Sequence, residues 1–286
     1  PLAQLHLTLG LSYDKVTNDL FDQATALATS EDEAQFNPKF GLLWTPTQQT
    51  TVRVAAFRTL RRLTHANQTI EPTQIAGFNQ FFDDFIGTKA KRYGIGLDHQ
   101  FSASQFAGIE FSRRDSDKQV IDPGLGTTTQ VANNEALHRA YFYQILNPRW
   151  NVAIEYFYGH ASRDFSEGVA DSTDPVKLTT HYLPLSLNYH QPRGFFSKTA
   201  LNLVSQRVAF ATEQELARNK ATFTTMDITL GYRLPSRKTI LSITAQNIFD
   251  NQFNFHDTSL STETPTPLLA RFRPERSVFA TVAFWF

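Results

Sequence analysis

Ser277-Val278-Phe279-Ala280-Thr281-Val282-Ala283-Phe284-Trp285-Phe286 is the stretch on which the fold turns. Val278, Ala280, Val282, Phe284 and Phe286 share one parity, so a β-strand turns all five to one face. No polar residue follows to solubilise them. In water such a strand is an aggregation hazard, so the pattern calls for apolar surroundings on that face.

The same alternation recurs up the chain. Leu5, Leu7, Leu9, Leu11 and Tyr13 alternate with His6, Thr8, Gly10, Ser12 and Asp14. Phe40, Leu42 and Trp44 share a parity, as do Val52, Val54 and Ala56, and then Tyr93, Ile95 and Leu97. Ala107, Ile109 and Phe111 follow, then Trp150, Val152, Ile154, Tyr156 and Tyr158. Leu183 to Tyr189, Leu201 with Leu203, Met226 to Tyr232, and Leu241 to Ala245 complete the set. Polar segments separate these runs: Lys15 to Gln35, Arg61 to Lys89, Arg113 to Leu137, His160 to Lys177, and one reaching Lys220. All read as loops. Short turns sit between them, near residues 46, 103, 148, 192 and 236.

Strict alternation of short turns with long loops over about twelve strands is the topology of an outer-membrane β-barrel. A soluble sandwich has no reason to alternate loop lengths in this way. The expected fold is therefore all-β, a transmembrane antiparallel up-and-down barrel in the bacterial outer membrane, with residues 1–286 as one unit. Tyr13, Trp44, Phe101, Trp150, Tyr158, Tyr189 and Tyr232 fall at or near strand ends, where aromatic girdles meet the membrane–water interface. The final strand, with Phe284 and Phe286, resembles the C-terminal signal that the barrel assembly machinery reads. On this reading the strand faces outer-membrane lipid and closes the barrel.

Composition agrees. The chain has net charge +0, no Cys and 13% aromatic residues, with a mean hydropathy of −0.33. A mildly polar average is expected where lipid-facing and lumen-facing residues alternate. No apolar run reaches the about 18 residues of a helical span. Balanced, dispersed charge argues against a nucleic-acid partner. No signal peptide stands at Pro1, so the chain reads as a mature product or the C-terminal part of a longer one.

Three stretches resemble TonB-dependent outer-membrane receptors. Asn37-Pro38-Lys39-Phe40-Gly41-Leu42-Leu43-Trp44-Thr45-Pro46-Thr47, leading into Thr51 to Leu60, resembles one strand–turn–strand of that family. Glu71-Pro72-Thr73 with Tyr93-Gly94-Ile95-Gly96-Leu97 is similar to a later strand. Leu241 to Phe253, with Asn247-Ile248-Phe249-Asp250, resembles the penultimate strand. The resemblance implies a transporter or pore for a solute or polymer, driven by TonB or a periplasmic partner through upstream residues. Two departures stand out: such receptors have about twenty-two strands, and they carry an N-terminal plug and a TonB box that this sequence lacks. An exporter barrel with upstream periplasmic helical repeats, or a structural barrel anchoring a partner, is the alternative.

Nothing points to an enzyme. The eight His are scattered without a zinc-binding HExxH or paired-ligand spacing, and no GxSxG elbow occurs. No metal or cofactor site is expected. A Ser/His pair of the outer-membrane phospholipase kind is defined by geometry, not by chain order, and leaves no motif to find. Gly94 and Gly96, within a strand, leave room for a close neighbour.

By parity Arg53, Arg92, Asp98, Glu110, Glu155, Asp227 and Arg233 point into the lumen. Their mixed signs suit either a cross-lumen network of ion pairs or charged rungs that select a solute. A second candidate surface is the segment Thr69 to Asp84, whose Phe78, Phe81, Phe82, Asp83 and Asp84 combine exposed aromatics with acids. The resemblance implies that it lies outside the cell, either as a loop that captures ligand or equally as a β-hairpin extending the barrel wall.

Overall fold

The computed structural model describes residues 4–22, 27–61, 74–79, 87–121, 128–164, 175–210, 217–253, 255 and 275–285. Wherever apolar and polar residues alternate, the chain is extended. The strands are β1 (Leu5–Asp22), β2 (Leu27–Thr47), β3 (Thr50–Leu60), β4 (Gln74–Ile75), β5 (Phe78–Asn79), β6 (Lys89–Ser102) and β7 (Gln105–Ile121). They continue with β8 (Thr128–Asn147), β9 (Trp150–Arg163), β10 (Pro175–His190), β11 (Phe195–Phe210), β12 (Ala217–Arg233), β13 (Thr239–Gln246) and β14 (Ser277–Phe284).

Twelve of them form one antiparallel sheet in chain order, with β4 and β5 standing apart as a small hairpin. Each main strand pairs with the strand before and after it in the sheet, tight turns and longer connections alternating between them, as antiparallel neighbours in an up-and-down sheet do. Among the described residues β1 pairs only with β2, and β14 only with β13. No helix of the described residues is long and apolar enough to cross a membrane, a fact that says nothing of strands.

The polar segments expected as loops are partly strand. Lys15 to Asp22 pairs residue by residue with Leu27 to Ala34. Arg113 to Ile121 pairs in the same way with Thr128 to Ala136. The physical reason is that ladder hydrogen bonds join main-chain groups, whatever the side chains. Past the apolar band neither face needs to be greasy, so the period-2 signal fades while the strand runs on.

The two faces differ in chemistry. Leu9 and Leu11 are each 70% exposed, and Ile95, Ile109, Ile243 and Val282 are exposed on the same outward face. A sheet that leaves its aliphatic side chains bare on one face is built for lipid. The inward face carries polar and charged groups, with two small apolar clusters. One comprises Ala161, Leu178, Val208 and Phe210. The other joins Ala55 and Phe57 of β3 to Ile75 and Phe78 of the hairpin.

Candidate functional site on the inner face

Register decides which charges meet. Arg53 lies opposite Gly96 across the β3–β6 pair, and Gly96 lies opposite Glu110 across the β6–β7 pair. With no side chain at Gly96, the guanidinium reaches over β6. Its Nε donates to Asp98 Oδ2 at 2.8 Å and its Nη2 donates to Glu110 Oε2 at 3.0 Å. Tyr141 on β8 donates its hydroxyl to the other Asp98 oxygen at 2.6 Å. Four strands are thus tied by one cation, two carboxylates and a phenol.

A second knot sits beside the first. Arg139 donates through Nε and Nη2 to Glu155 Oε2, at 3.0 and 2.8 Å. Tyr143 accepts from Arg139 at 2.7 Å and donates to Glu155 Oε1 at 2.7 Å. The Tyr141 and Tyr143 rings stack at 4.8 Å, joining the two knots. The Arg139 guanidinium also lies over the Tyr141 and Phe157 rings, 5.1 and 5.5 Å from their centroids. Charge-assisted bonds of this kind hold long side chains in one geometry and stiffen the wall.

The β4–β5 hairpin folds inward onto this wall. Phe78 is 1% exposed and lies directly over Gly94, where any Cβ would overlap the ring. Ile75 seats on Gly41, its Cγ2 2.6 Å from where a Cβ would stand. Arg53 is 5.3 Å from the Phe78 ring centroid, so the ion-pair knot also braces the hairpin. Of the two expectations for Phe78, an exposed ligand-capturing aromatic or part of a hairpin extending the wall, the ring is buried in a hairpin, because Gly94 leaves flat ground for it. Phe81, Phe82, Asp83 and Asp84 lie outside the described residues, as does Phe286.

The other expected residues are spread along the wall. Arg92 is buried and donates to Ser112 Oγ at 3.3 Å. Asp227 stands apart on β12, accepting from the Asn247 amide at 2.8 Å. Arg233 is exposed at the short-turn end, away from the knots, its amide donating to the Gly194 carbonyl at 2.8 Å. Phe284 is exposed on the last strand, opposite Thr239. Arg139, Tyr141 and Tyr143 were not singled out by sequence, since Tyr141-Phe142-Tyr143 is aromatic on both parities and hides which face is polar.

Toward the long-loop end the wall frames a recess of about 730 Å³, lined by Phe78, Arg139, Phe157, Tyr182, Asn202 and Phe223 among others. Phe253, beyond β13, stacks on Phe223 at 3.8 Å and closes one side. Apolar rings with a few fixed polar groups are the make-up of a small-molecule site. Among the described residues no cluster of His, Asp or Glu could hold a metal ion.

A family model described as TonB dependent receptor-like, beta-barrel, matches residues 1–248. No curated protein matches. Among solved structures, the FrpB iron transporter from Neisseria meningitidis superposes with a TM-score of 0.73 at 13% identity, covering 98% of this chain and 42% of that one. The copper transporter OprC gives 0.63 at 14% identity, covering 99% and 47%. The ferripyoverdine receptor of the Pseudomonas aeruginosa outer membrane gives 0.55 at 13% identity, covering 87% and 33%. The chain therefore spans less than half the length of these structures.

Proposed function

The chain belongs to the TonB-dependent receptor-like β-barrel family of the bacterial outer membrane, and we propose that it forms part of the wall of a transporter that takes a solute across that membrane. The observation that carries the reading is the inner face itself. Arg53, Asp98, Glu110, Arg139 and Glu155 are paired with one another, with the cation of Arg92 alongside, so the wall is polar without a dominant sign. A wall of that kind lacks the ring of one charge sign by which pores select simple ions. Arg92, Asp227 and Arg233 extend the polar lining, and chemical catalysis has no part in it. A sheet in which, among the described residues, β1 and β14 each pair on one side only supports one arc of a larger barrel, as does its match to less than half of each solved transporter.

Iron and copper transporters among the similar structures suggest a chelated metal ion as cargo. The test is accumulation of radiolabelled ferric chelates and copper by cells carrying or lacking the gene, with and without a proton uncoupler. Gene-dependent uptake that the uncoupler abolishes supports a TonB-energised receptor. Uptake that ignores both the gene and the uncoupler counts against transport and favours a barrel that only anchors a partner.

A further inference from the structure

On the outward face, β10, β11 and β12 change chemistry in step. From the short-turn end, β10 presents Tyr189, Leu187, Leu185, Leu183, His181, Thr179 and Lys177. β12 presents Tyr232, Leu230, Ile228, Met226, Thr224, Thr222 and Lys220. β11 presents Phe195, Ser197, Thr199, Leu201, Leu203, Ser205 and Arg207. From mid-height upward each strand passes from aliphatic through hydroxyl or imidazole to a cation. The register sets Thr179 opposite Arg207, and Arg207 opposite Lys220, so the cations gather at one height.

That height can be placed. Lys177 and Lys220 are each 13 residues from the last residue of their strands, His190 and Arg233. At about 3.3 Å per residue and a tilt near 40°, this is roughly 33 Å above the short turns. The apolar band of such a barrel is about 25 Å tall. The cations therefore stand just past the hydrocarbon, among lipid headgroups. Tyr156, Tyr158 and His181 mark the boundary beneath them, with the Tyr156 hydroxyl 2.7 Å from His181 Nδ1 and the Tyr158 ring edge-on to His181.

The arrangement is costly as it stands. Like charges directly opposite on adjacent strands repel, and Arg207 faces Lys220 in that relation. Lys177, Arg207 and Lys220 are exposed, and among the described residues none forms an ion pair. Among the described residues the other polar groups directly opposite them are hydroxyls, Ser162 for Lys177 and Thr179 for Arg207, with Ser205 and Thr222 next along the strands. The exposed Asp164, two residues past Ser162, forms no ion pair with Lys177. Elsewhere on this face the cations have acids: Lys15 holds Asp32 at 2.9 Å and Arg113 holds Asp115 at 2.9 Å. Unneutralised cations, ringed by hydroxyl donors at headgroup depth, match a phosphate.

We propose that Lys177, Arg207 and Lys220, with Thr179, form a site on the barrel exterior for the phosphate-bearing headgroup of an outer-leaflet lipid. The lipid's chains lie along the aliphatic band below and its phosphate bridges Arg207 and Lys220, removing their repulsion. The site is independent of the solute and of the inner-face network.

The test uses the full protein purified from outer membranes in detergent, stripped of lipid, and probed by native mass spectrometry. The probes are lipid A, which carries two phosphates, and its dephosphorylated form. Lipid A should be retained about tenfold or more in preference. The Arg207→Gln/Lys220→Gln double variant should lose that preference, while Lys91→Gln, whose strand partner is Asp115, keeps it. Equal retention of both lipids by the wild-type protein overturns the proposal, and that comparison needs no variant to fold. So does an undiminished preference in a correctly folded double variant. Displacement by excess inorganic phosphate alone would show a free-anion site and would also overturn the assignment to lipid.

Discussion

Phe78 lies flat over Gly94, a residue of a different β-unit, closely enough that no side chain fits between them. The contact turns a loop hairpin into part of the wall. Ile75 over Gly41 repeats it two strands away, so the hairpin is seated at two points.

Gly94→Ala should therefore unseat the hairpin without breaking the barrel. Overpacking of this kind costs about 1–3 kcal/mol, which falls on the small hairpin and not on the twelve-strand sheet. Hydrogen exchange at Gln74–Asn79 should rise, while β6 and β7 keep their protection. Unchanged exchange in the hairpin would mean that the ring has another place to go.

Arg53→Ala leaves Asp98 on β6 and Glu110 on β7 as diagonal neighbours without their shared cation. Loss of about 1–3 kcal/mol in urea unfolding is expected. Asp98→Asn in the Arg53→Ala background should recover part of it, because one of the two like charges is gone. Strictly additive losses in this cycle would show that the three groups are not coupled.

Asn247 holds a left-handed backbone, φ 48, at the end of β13. Its side chain accepts from the Asn251 amide at 3.2 Å and donates to the Asn251 carbonyl at 2.9 Å. Asn247→Leu loses both bonds and strains the turn, at about 1–3 kcal/mol. Asn247→Gly loses the bonds alone and should be milder. The heat-modifiable barrel fraction on gels ranks the two, and the reverse order would contradict the turn's role.

Leu185 sits midway along the outward face of β10, between Tyr189 and His181. Leu185→Arg places a charge near the bilayer midplane, at a cost of about 2–4 kcal/mol. Folding titrations into phosphatidylcholine vesicles would measure it. A neutral result would mean that this face does not meet lipid.

The last ten residues resemble a signal for barrel assembly, and on that expectation Phe286→Asp should lower the amount of heat-modifiable barrel in cells. Normal levels would show that the terminal aromatic is dispensable.

By itself the sequence determined the strand type, the outward face and the order of hairpins. These follow from the parity of neighbouring residues and from turn length, which are local properties; Leu5 to Tyr13 and Met226 to Tyr232 are readable alone. Strand length was misjudged where Lys15 and Arg113 leave the apolar band, since a wet strand carries no periodic signal. Which inward charges meet was decided only by the tertiary structure. Arg53 and Glu110 are 57 residues apart in sequence and meet over Gly96 because the β3–β6 and β6–β7 pairings fix the register of three strands. The burial of Phe78 and the alignment of Arg207 with Lys220 have the same cause: parity assigns a residue to a face, and only register gives it a neighbour.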